Sequence, residues 1–192
     1  MKNNKIIKAL SKACYLHENQ TRKGKDVPYF THILDVAKIL MYETKNENLV
    51  VAGILHDTLE DTKYTKKELI KEFGDDVYKL VSFCTELEYN VNTSEEDKKA
   101  SWKKRKKHSI KALKNGNDEQ LLLFLADKLS SLQSIREDLL IGENVWDRFN
   151  APYENIKWYY KSIRDGIKKK TLDTRTFKLF NDLVDKVFNN RI

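Results

Sequence analysis

From Val50 to Thr62 the chain reads Val-Val-Ala-Gly-Ile-Leu-His-Asp-Thr-Leu-Glu-Asp-Thr, an apolar run ending in two acid-bearing pairs. If the stretch is helical, residues four apart share a face, so His56 stands over Glu60 and Asp57 over Asp61. Val51, Ile54, Leu55 and Leu59 fall largely on the other side and can pack into a core. A fold that accepts this segment must therefore bury one side of it and open the other. Three carboxylates this close repel one another unless a cation or shared protons offset the charge. The alternative is a solvated acidic helix end, but exposed ends rarely follow so apolar a run.

The remainder of the chain gives the expectation of an all-α fold. Six Gly and two Pro in 192 residues leave little punctuation for the many turns of an all-β protein. Residues 4–18 read as a first amphipathic helix, with His17 near its end as a surface or capping residue. Gly24 and Pro28 mark a loop, after which Thr31 is expected to cap a helix that His32 opens. The central helix is read over 46–61. Thr65 and Glu68 form a capping box for a short helix running to Gly74. Residues 75–87 give another helix, with Phe83 and Cys84 facing inward. Tyr89 to Thr93 reads as a mobile loop near the site mouth. Helices follow over 94–114, from Asp118 onward, after Pro152, and over 173–187. Asp127 interrupts an otherwise apolar face, so it must be paired, hydrogen-bonded or metal-bound. Trp146, Phe149, Trp158, Tyr159 and Tyr160 are read as structural aromatics.

Composition narrows the functional classes. Hydrophobic residues at 40% and charged residues at 34% fit a folded soluble protein. The longest apolar run, Leu121 to Ala126, is far short of a membrane span. The N-terminus lacks a secretory pattern, and the expected location is cytoplasmic. Cys14 and Cys84 have no metal-type spacing and are read as reduced core residues. The net charge of +7 fits an anionic partner. Most of the Lys residues are scattered among acids, as on an ordinary solvated surface, and only Lys103 to Lys107 is dense.

His32, His56, Asp57 and Asp127, from three helices, with Glu60 and Asp61 beside them, form a candidate six-coordinate metal centre. Imidazole nitrogen with carboxylate oxygen suits Mn²⁺, Fe²⁺, Ni²⁺ or Zn²⁺ better than Ca²⁺ or a thiolate metal. Such a centre acts as a Lewis acid and activates water. For Asp127 the competing reading is a buried carboxylate tied to a neighbouring Lys.

Together these residues resemble the signature of the HD metal-dependent phosphohydrolases, whose domains are helical bundles. Arg22-Lys23-Gly24, Pro28-Tyr29 and His32 are similar to the first motif of Rel/SpoT-type guanosine tetraphosphate hydrolases and their small stand-alone homologues. His56-Asp57-Thr58-Leu59-Glu60-Asp61 looks like their His-Asp-x-x-Glu-Asp motif. Ala126-Asp127-Lys128-Leu129 resembles a third motif, with Arg105-Lys106 as the basic pair upstream of it. The resemblance covers about residues 5–165. It implies one HD hydrolase domain over 1–192, with a C-terminal helix at 173–190 packed on the motif-bearing core. No synthetase or regulatory domain is expected.

The resemblance also assigns roles. His32, His56, Asp57 and Asp127 would bind one divalent transition metal, Mn²⁺ first, with Fe, Ni or Zn as alternatives. Glu60 and Asp61 would position or deprotonate the attacking water, and Arg22, Lys23, Arg105 and Lys106 would contact the nucleotide. Ile33 stands where the family usually has Pro, and Ser131 and Gln133 where the hydrolases commonly have Asn and Arg. The implied activity is a nucleotide phosphohydrolase, first of all a guanosine 3′,5′-bis(diphosphate) 3′-pyrophosphohydrolase. Hydrolysis of another phosphorylated nucleotide or metabolite, and a non-catalytic nucleotide- or nucleic-acid-binding module, stand as alternatives. The expected partner is a small-molecule nucleotide, not nucleic acid or membrane.

Overall fold

The computed structural model describes residues 4–86, 94–170 and 172–189, so the loop expected at 89–93 lies outside the described residues. Helix α1 spans Asn4–Leu16, α2 Phe30–Glu43, α3 Glu47–Leu55, α4 Thr58–Asp61, α5 Lys66–Phe73 and α6 Asp75–Cys84. They are followed by α7 Glu95–Ala112, α8 Asp118–Leu140, a 3₁₀ turn at Trp146–Arg148, α9 Tyr153–Lys169 and α10 Arg175–Phe188. Among the described residues there is no named strand, as the scarcity of Gly and Pro leads one to expect. Nor is any helix there long and apolar enough to cross a membrane.

α3 is the axle of the bundle. Every residue from Leu49 to Leu55 is buried, and α1, α2, α6 and α8 pack around it. A helix apolar on all sides is stable only when surrounded. Each buried Val, Leu or Ile contributes about 1.5–3 kcal/mol relative to exposure. Asn46 starts α3 by accepting from the Asn48 backbone N–H. The Thr65–Glu68 capping box of α5 is present in full. Asn117 and Gln120 make a second box that opens α8. α10 packs on α8, α9 and α2, burying Phe180, Val184, Val187 and Phe188.

Four local expectations need correction. The central helix does not run unbroken to Asp61: it stops at Leu55 and resumes at Thr58, with His56 and Asp57 in the turn between. The Thr58 hydroxyl donates to the Leu55 carbonyl at 2.7 Å and the Thr62 hydroxyl to that of Thr58 at 2.6 Å. These side chains compete with helix backbone bonding, as Thr commonly does. Thr31 is not an N-cap, because the helix already begins at Phe30; its hydroxyl donates to the Pro28 carbonyl. His17 is not at the surface. It is 2% exposed, with its ring 5.1 Å from Tyr29 and its Nδ1 2.7 Å from Gln20 Oε1. Cys14 is exposed rather than a core residue, on the outer face of α1, where Ala9 and Ala13 take the buried positions.

Candidate metal centre and adjoining cleft

The turn at 56–57 brings the ring of His56 beside that of His32 from the first turn of α2, with centroids 5.2 Å apart. One ligand-type atom from each of His32, His56 and Asp57 lies within 4.8 Å of the others. His56 Nε2 stands 2.8 Å from Asp57 Oδ2, and His32 Nε2 stands 3.9 Å from it. Asp127, from the middle of α8, brings Oδ1 to 3.3 Å from His32 Nε2 and 3.9 Å from His56 Nε2. Its other oxygen accepts from Lys128 Nζ at 2.6 Å. The structure thus brings the four expected metal ligands together; one oxygen of Asp127 is tied to the neighbouring Lys, and the other faces the two imidazoles.

The outward nitrogens are also accounted for. His56 Nδ1 is 2.8 Å from the Gly53 carbonyl and His32 Nδ1 is 2.9 Å from Ser130 Oγ. In the tautomer that donates from Nδ1, both Nε2 lone pairs face the carboxylates. Fixing a ligand imidazole through its other nitrogen is a common feature of metal sites. His56 Nε2 is buried with no partner of full hydrogen-bond geometry, although Asp57 Oδ2 is 2.8 Å away. A buried, unpartnered nitrogen among carboxylates fits a divalent cation, which would satisfy it and neutralise its neighbours. Tyr29, to which sequence reasoning attached no separate role, donates its hydroxyl to Asp57 Oδ2.

The charges are strongly coupled without a cation. Burial disfavours the imidazolium of His56, yet the charges of Asp57 and Asp127 outweigh it and raise the pKa to about 9. Burial alone would raise Asp57 and Asp127. His56 instead holds Asp57, and Lys128 holds Asp127, below the ordinary carboxylate range. Glu60 is raised to about 7, by burial first and then by the Asp57 charge. Asp61 is raised to about 8 by the same two causes and by Glu60. Asp61 is open to solvent at the site mouth, and solvent screening moderates its shift. Glu60 is the better-insulated acid.

Glu60 and Asp61 keep their expected side despite the break in the helix. Asp61 N–H still donates to the Asp57 carbonyl at 2.9 Å, so the row of residues four apart survives there. Both acids line a chamber of about 230 Å³ containing His32, Asp57 and Asp127, and both also line an adjoining cleft of about 920 Å³. Arg22, Tyr29, Lys106 and Ser131 are likewise shared by the two spaces. Basic side chains at Arg22, Lys23, Lys25, Lys98, Arg105, Lys106 and Arg148 line the cleft, against acidic ones at Glu60, Asp61 and Asp138. The balance favours an anionic occupant.

The expected substrate cations sit differently from one another. Arg22 faces both spaces, with its guanidinium 5.7 Å from the Tyr29 ring centroid. Lys23 Nζ donates to Asn150 Oδ1 at 2.6 Å across the cleft. Arg105 and Lys106 both bond the carboxylate of Glu86, Lys106 at 2.8 Å. Gln133, one of the two departures from the family pattern, is not among the residues lining either space, whereas Ser131 lines both.

Several lining residues escaped the sequence reading. Asp138 is buried, bonded by Lys25 and by Arg148 Nη1 at 2.7 Å. These bonds tie the first-motif loop to the end of α8 and to the turn before α9. Gly24, at φ 71°, is required there: a Cβ would lie 2.7 Å from the Arg148 side chain. Asp138 was legible in principle, since 127, 131, 134 and 138 form one helical row. Tyr159 and Tyr160, read as structural, are buried and also wall the two spaces. Glu86 carried no local signal.

Comparison with known proteins agrees with this geometry. The family described as HD domain matches residues 9–143. The guanosine-3′,5′-bis(diphosphate) 3′-pyrophosphohydrolase MESH1 of Drosophila melanogaster is 31% identical over 141 residues, covering 72% of this chain and 73% of that protein. The mouse (Mus musculus) MESH1 is 32% identical over 133 residues, covering 68% and 69%. A probable GTP pyrophosphokinase of Mycobacterium leprae is 36% identical over 131 residues; that match spans 68% of this chain but only 16% of the longer protein. The crystal structure of lmo0812 from Listeria monocytogenes EGD-e superposes with a TM-score of 0.71 at 35% identity, covering 88% of this chain and 99% of that one. The structure of a metazoan ortholog of SpoT, described as hydrolysing ppGpp, superposes with a TM-score of 0.73 at 25% identity, covering 100% and 97%. The family match spans the residues that carry His32, His56, Asp57, Glu60, Asp61 and Asp127, and on that basis the chain belongs to the HD-domain family.

Proposed function

We propose that the protein is a metal-dependent phosphohydrolase that removes the 3′-pyrophosphate of guanosine 3′,5′-bis(diphosphate). One observation carries the reading: Glu60, at the junction of an imidazole–carboxylate chamber and a cation-lined cleft, has its pKa raised to about 7. The two MESH1 proteins and the metazoan SpoT ortholog named above, which carry this hydrolysis, support it. His32, His56, Asp57 and Asp127 would hold the metal, Mn²⁺ as first choice. That ion would supply Lewis acidity toward the phosphoryl group and water.

The chain's own residues supply the rest. A water oxygen attacks the phosphorus next to the ribose, and the bond from that phosphorus to the 3′ oxygen breaks. Glu60, partly ionised near neutrality, accepts the water proton and can return it to the departing 3′ oxygen. A positioned acid or base of matched pKa typically contributes about 10²–10⁴-fold. Asp61 orients the water from the cleft side. Arg22 and Lys23 hold phosphate oxygens, for which the Arg fork is suited. Tyr29 fixes Asp57, and Tyr160, Trp102 and Phe149 give the cleft an apolar wall against which a base can lie.

A second reading rests on Ser131. It lines both spaces where the related hydrolases commonly carry the longer Asn, so a different phosphorylated nucleotide could fill the junction. A nucleotide panel incubated with Mn²⁺-loaded protein, with products identified, separates the two. We expect pyrophosphate and the 5′-diphosphate from guanosine tetraphosphate, faster than product from any other member. Turnover confined to another nucleotide would move the conclusion to the second reading, and inertness toward the whole panel would end both.

A further inference from the structure

Glu86 lies just past α6, where the Thr85 hydroxyl donates to the Val81 carbonyl at 2.9 Å and fixes the helix end. It lines the chamber together with His32, Asp57 and Asp127. Its carboxylate is 14% exposed and takes Arg105 Nη1, Lys106 Nζ at 2.8 Å and Ser109 Oγ at 3.3 Å, all from α7. Its backbone N–H donates to Glu60 Oε2 at 3.0 Å. One residue thus holds two of the four cations that the sequence offered for substrate and one of the two acids offered for proton transfer.

We propose that Glu86 is a positioning residue, whose carboxylate aims Arg105 and Lys106 at the phosphate-binding space while its backbone N–H orients Glu60. The inference takes the site of reaction from the phosphohydrolase reading above. Lys and Arg lose much rotamer freedom when ordered, so a preset pair binds an anion with less left to pay on contact. Burial lowers the proton affinity of Lys106, and the adjacent carboxylate works against that loss. Without Glu86 the two side chains would swing into the cleft or Lys106 would shed its charge. Both outcomes weaken anion binding. The competing role, an internal plug that substrate must expel, predicts the opposite sign.

The test compares wild type, Glu86→Gln and Glu86→Asp, each checked by circular dichroism for its helical fold. Steady-state kinetics with guanosine tetraphosphate and Mn²⁺ give KM and kcat separately. Calorimetry with inorganic pyrophosphate, on metal-stripped whole chain, reads the cations without turnover. Glu86→Gln keeps the backbone N–H and loses the charge. We expect KM and the pyrophosphate Kd to rise roughly 10- to 100-fold, the scale of a lost charge-assisted hydrogen bond. kcat should stay within about threefold, since the N–H to Glu60 remains. Glu86→Asp, with the charge retained on a shorter arm, should fall between the two. A lower KM in Glu86→Gln would establish the plug and overturn the proposal, as would wild-type KM and Kd in both variants. Should Glu86→Gln fail to fold, Glu86→Asp decides alone: a raised Kd supports the proposal and a wild-type Kd ends it. If wild type cleaves no nucleotide, the phosphohydrolase reading fails while the pyrophosphate arm still decides the role of Glu86.

Discussion

Asp127 shows how a single side chain can serve two demands. Its Oδ2 neutralises Lys128 at 2.6 Å, which makes the burial of both charges tolerable, and its Oδ1 faces the two imidazoles. Burial is the largest influence on all three carboxyls, but at Asp57 and Asp127 the neighbouring positive groups outweigh it, whereas at Glu60 they do not and its pKa is lifted to about 7. That contrast separates holding a metal from moving a proton, and it can be tested with two substitutions. Glu60→Gln should keep the metal stoichiometry by elemental analysis while turnover falls by about 10²-fold or more, the usual scale for a lost acid or base. Asp57→Ala should lose the metal itself. Metal loss on Glu60→Gln, or full occupancy in Asp57→Ala, would show these roles to be misassigned.

At the scale of elements, the approach of α2 to α3 sets the metal ligands. Gly53 has no side chain where Leu40, fully buried on α2, comes close: a Cβ would lie 2.3 Å from Leu40 Cδ1 and 3.4 Å from Val36 Cγ1. The Gly53 carbonyl also anchors His56. Gly53→Ala therefore pushes α2 from α3 and shifts a ligand imidazole at once. Overpacking of this kind costs about 1–3 kcal/mol, read as a Tm lowered by roughly 2–4 °C per kcal/mol at this chain length, together with weaker metal binding. A variant with wild-type Tm would mean that Leu40 can yield within the core. The same elements show what the sequence could reveal. The four-residue spacing of His-Asp and Glu-Asp was readable because it is local, and the Asp61 N–H still reaches the Asp57 carbonyl across the break. The break at His56–Asp57 was not; the Thr58 hydroxyl takes the Leu55 carbonyl across it, a side-chain bond that the apolar pattern does not signal. His17 was misread because its burial comes from Tyr29, a ring on the far side of a loop. Glu86 was invisible because its partners, Arg105 and Lys106, are 19 and 20 residues away on another helix.

For the whole molecule, the clustered charges make stability depend on pH in a direction that metal should reverse. Without a cation, His56 is raised from 6.5 to about 9 and Glu60 from 4.5 to about 7. In both cases the folded chain holds a proton more tightly than the unfolded one. The His56 contribution is complete below pH 6.5 and lost as pH rises through 9. That of Glu60 is complete below 4.5 and lost through 7. Asp57 and Asp127 are depressed and act oppositely, but only in acid, below the ordinary carboxylate pKa. His32 is also depressed, so its cost falls below pH 6.5. Between pH 6.5 and 9 His56 and Glu60 therefore act in the same direction, and stability falls as the unfolded state binds fewer protons than the native one. Metal ions need the imidazoles deprotonated, so their binding strengthens across the same range. At a concentration a hundredfold above Kd, a bound ion adds about 2.7 kcal/mol, or about 5–10 °C in Tm for a chain of this size. Thermal melts of EDTA-treated protein should fall in Tm from pH 6.5 to 9, and added Mn²⁺ should raise Tm by an increment that widens with pH. A metal-free Tm that climbs over that range would contradict the charge coupling described for His56 and Glu60. An Mn²⁺ increment independent of pH would mean that the ion binds somewhere other than the two imidazoles.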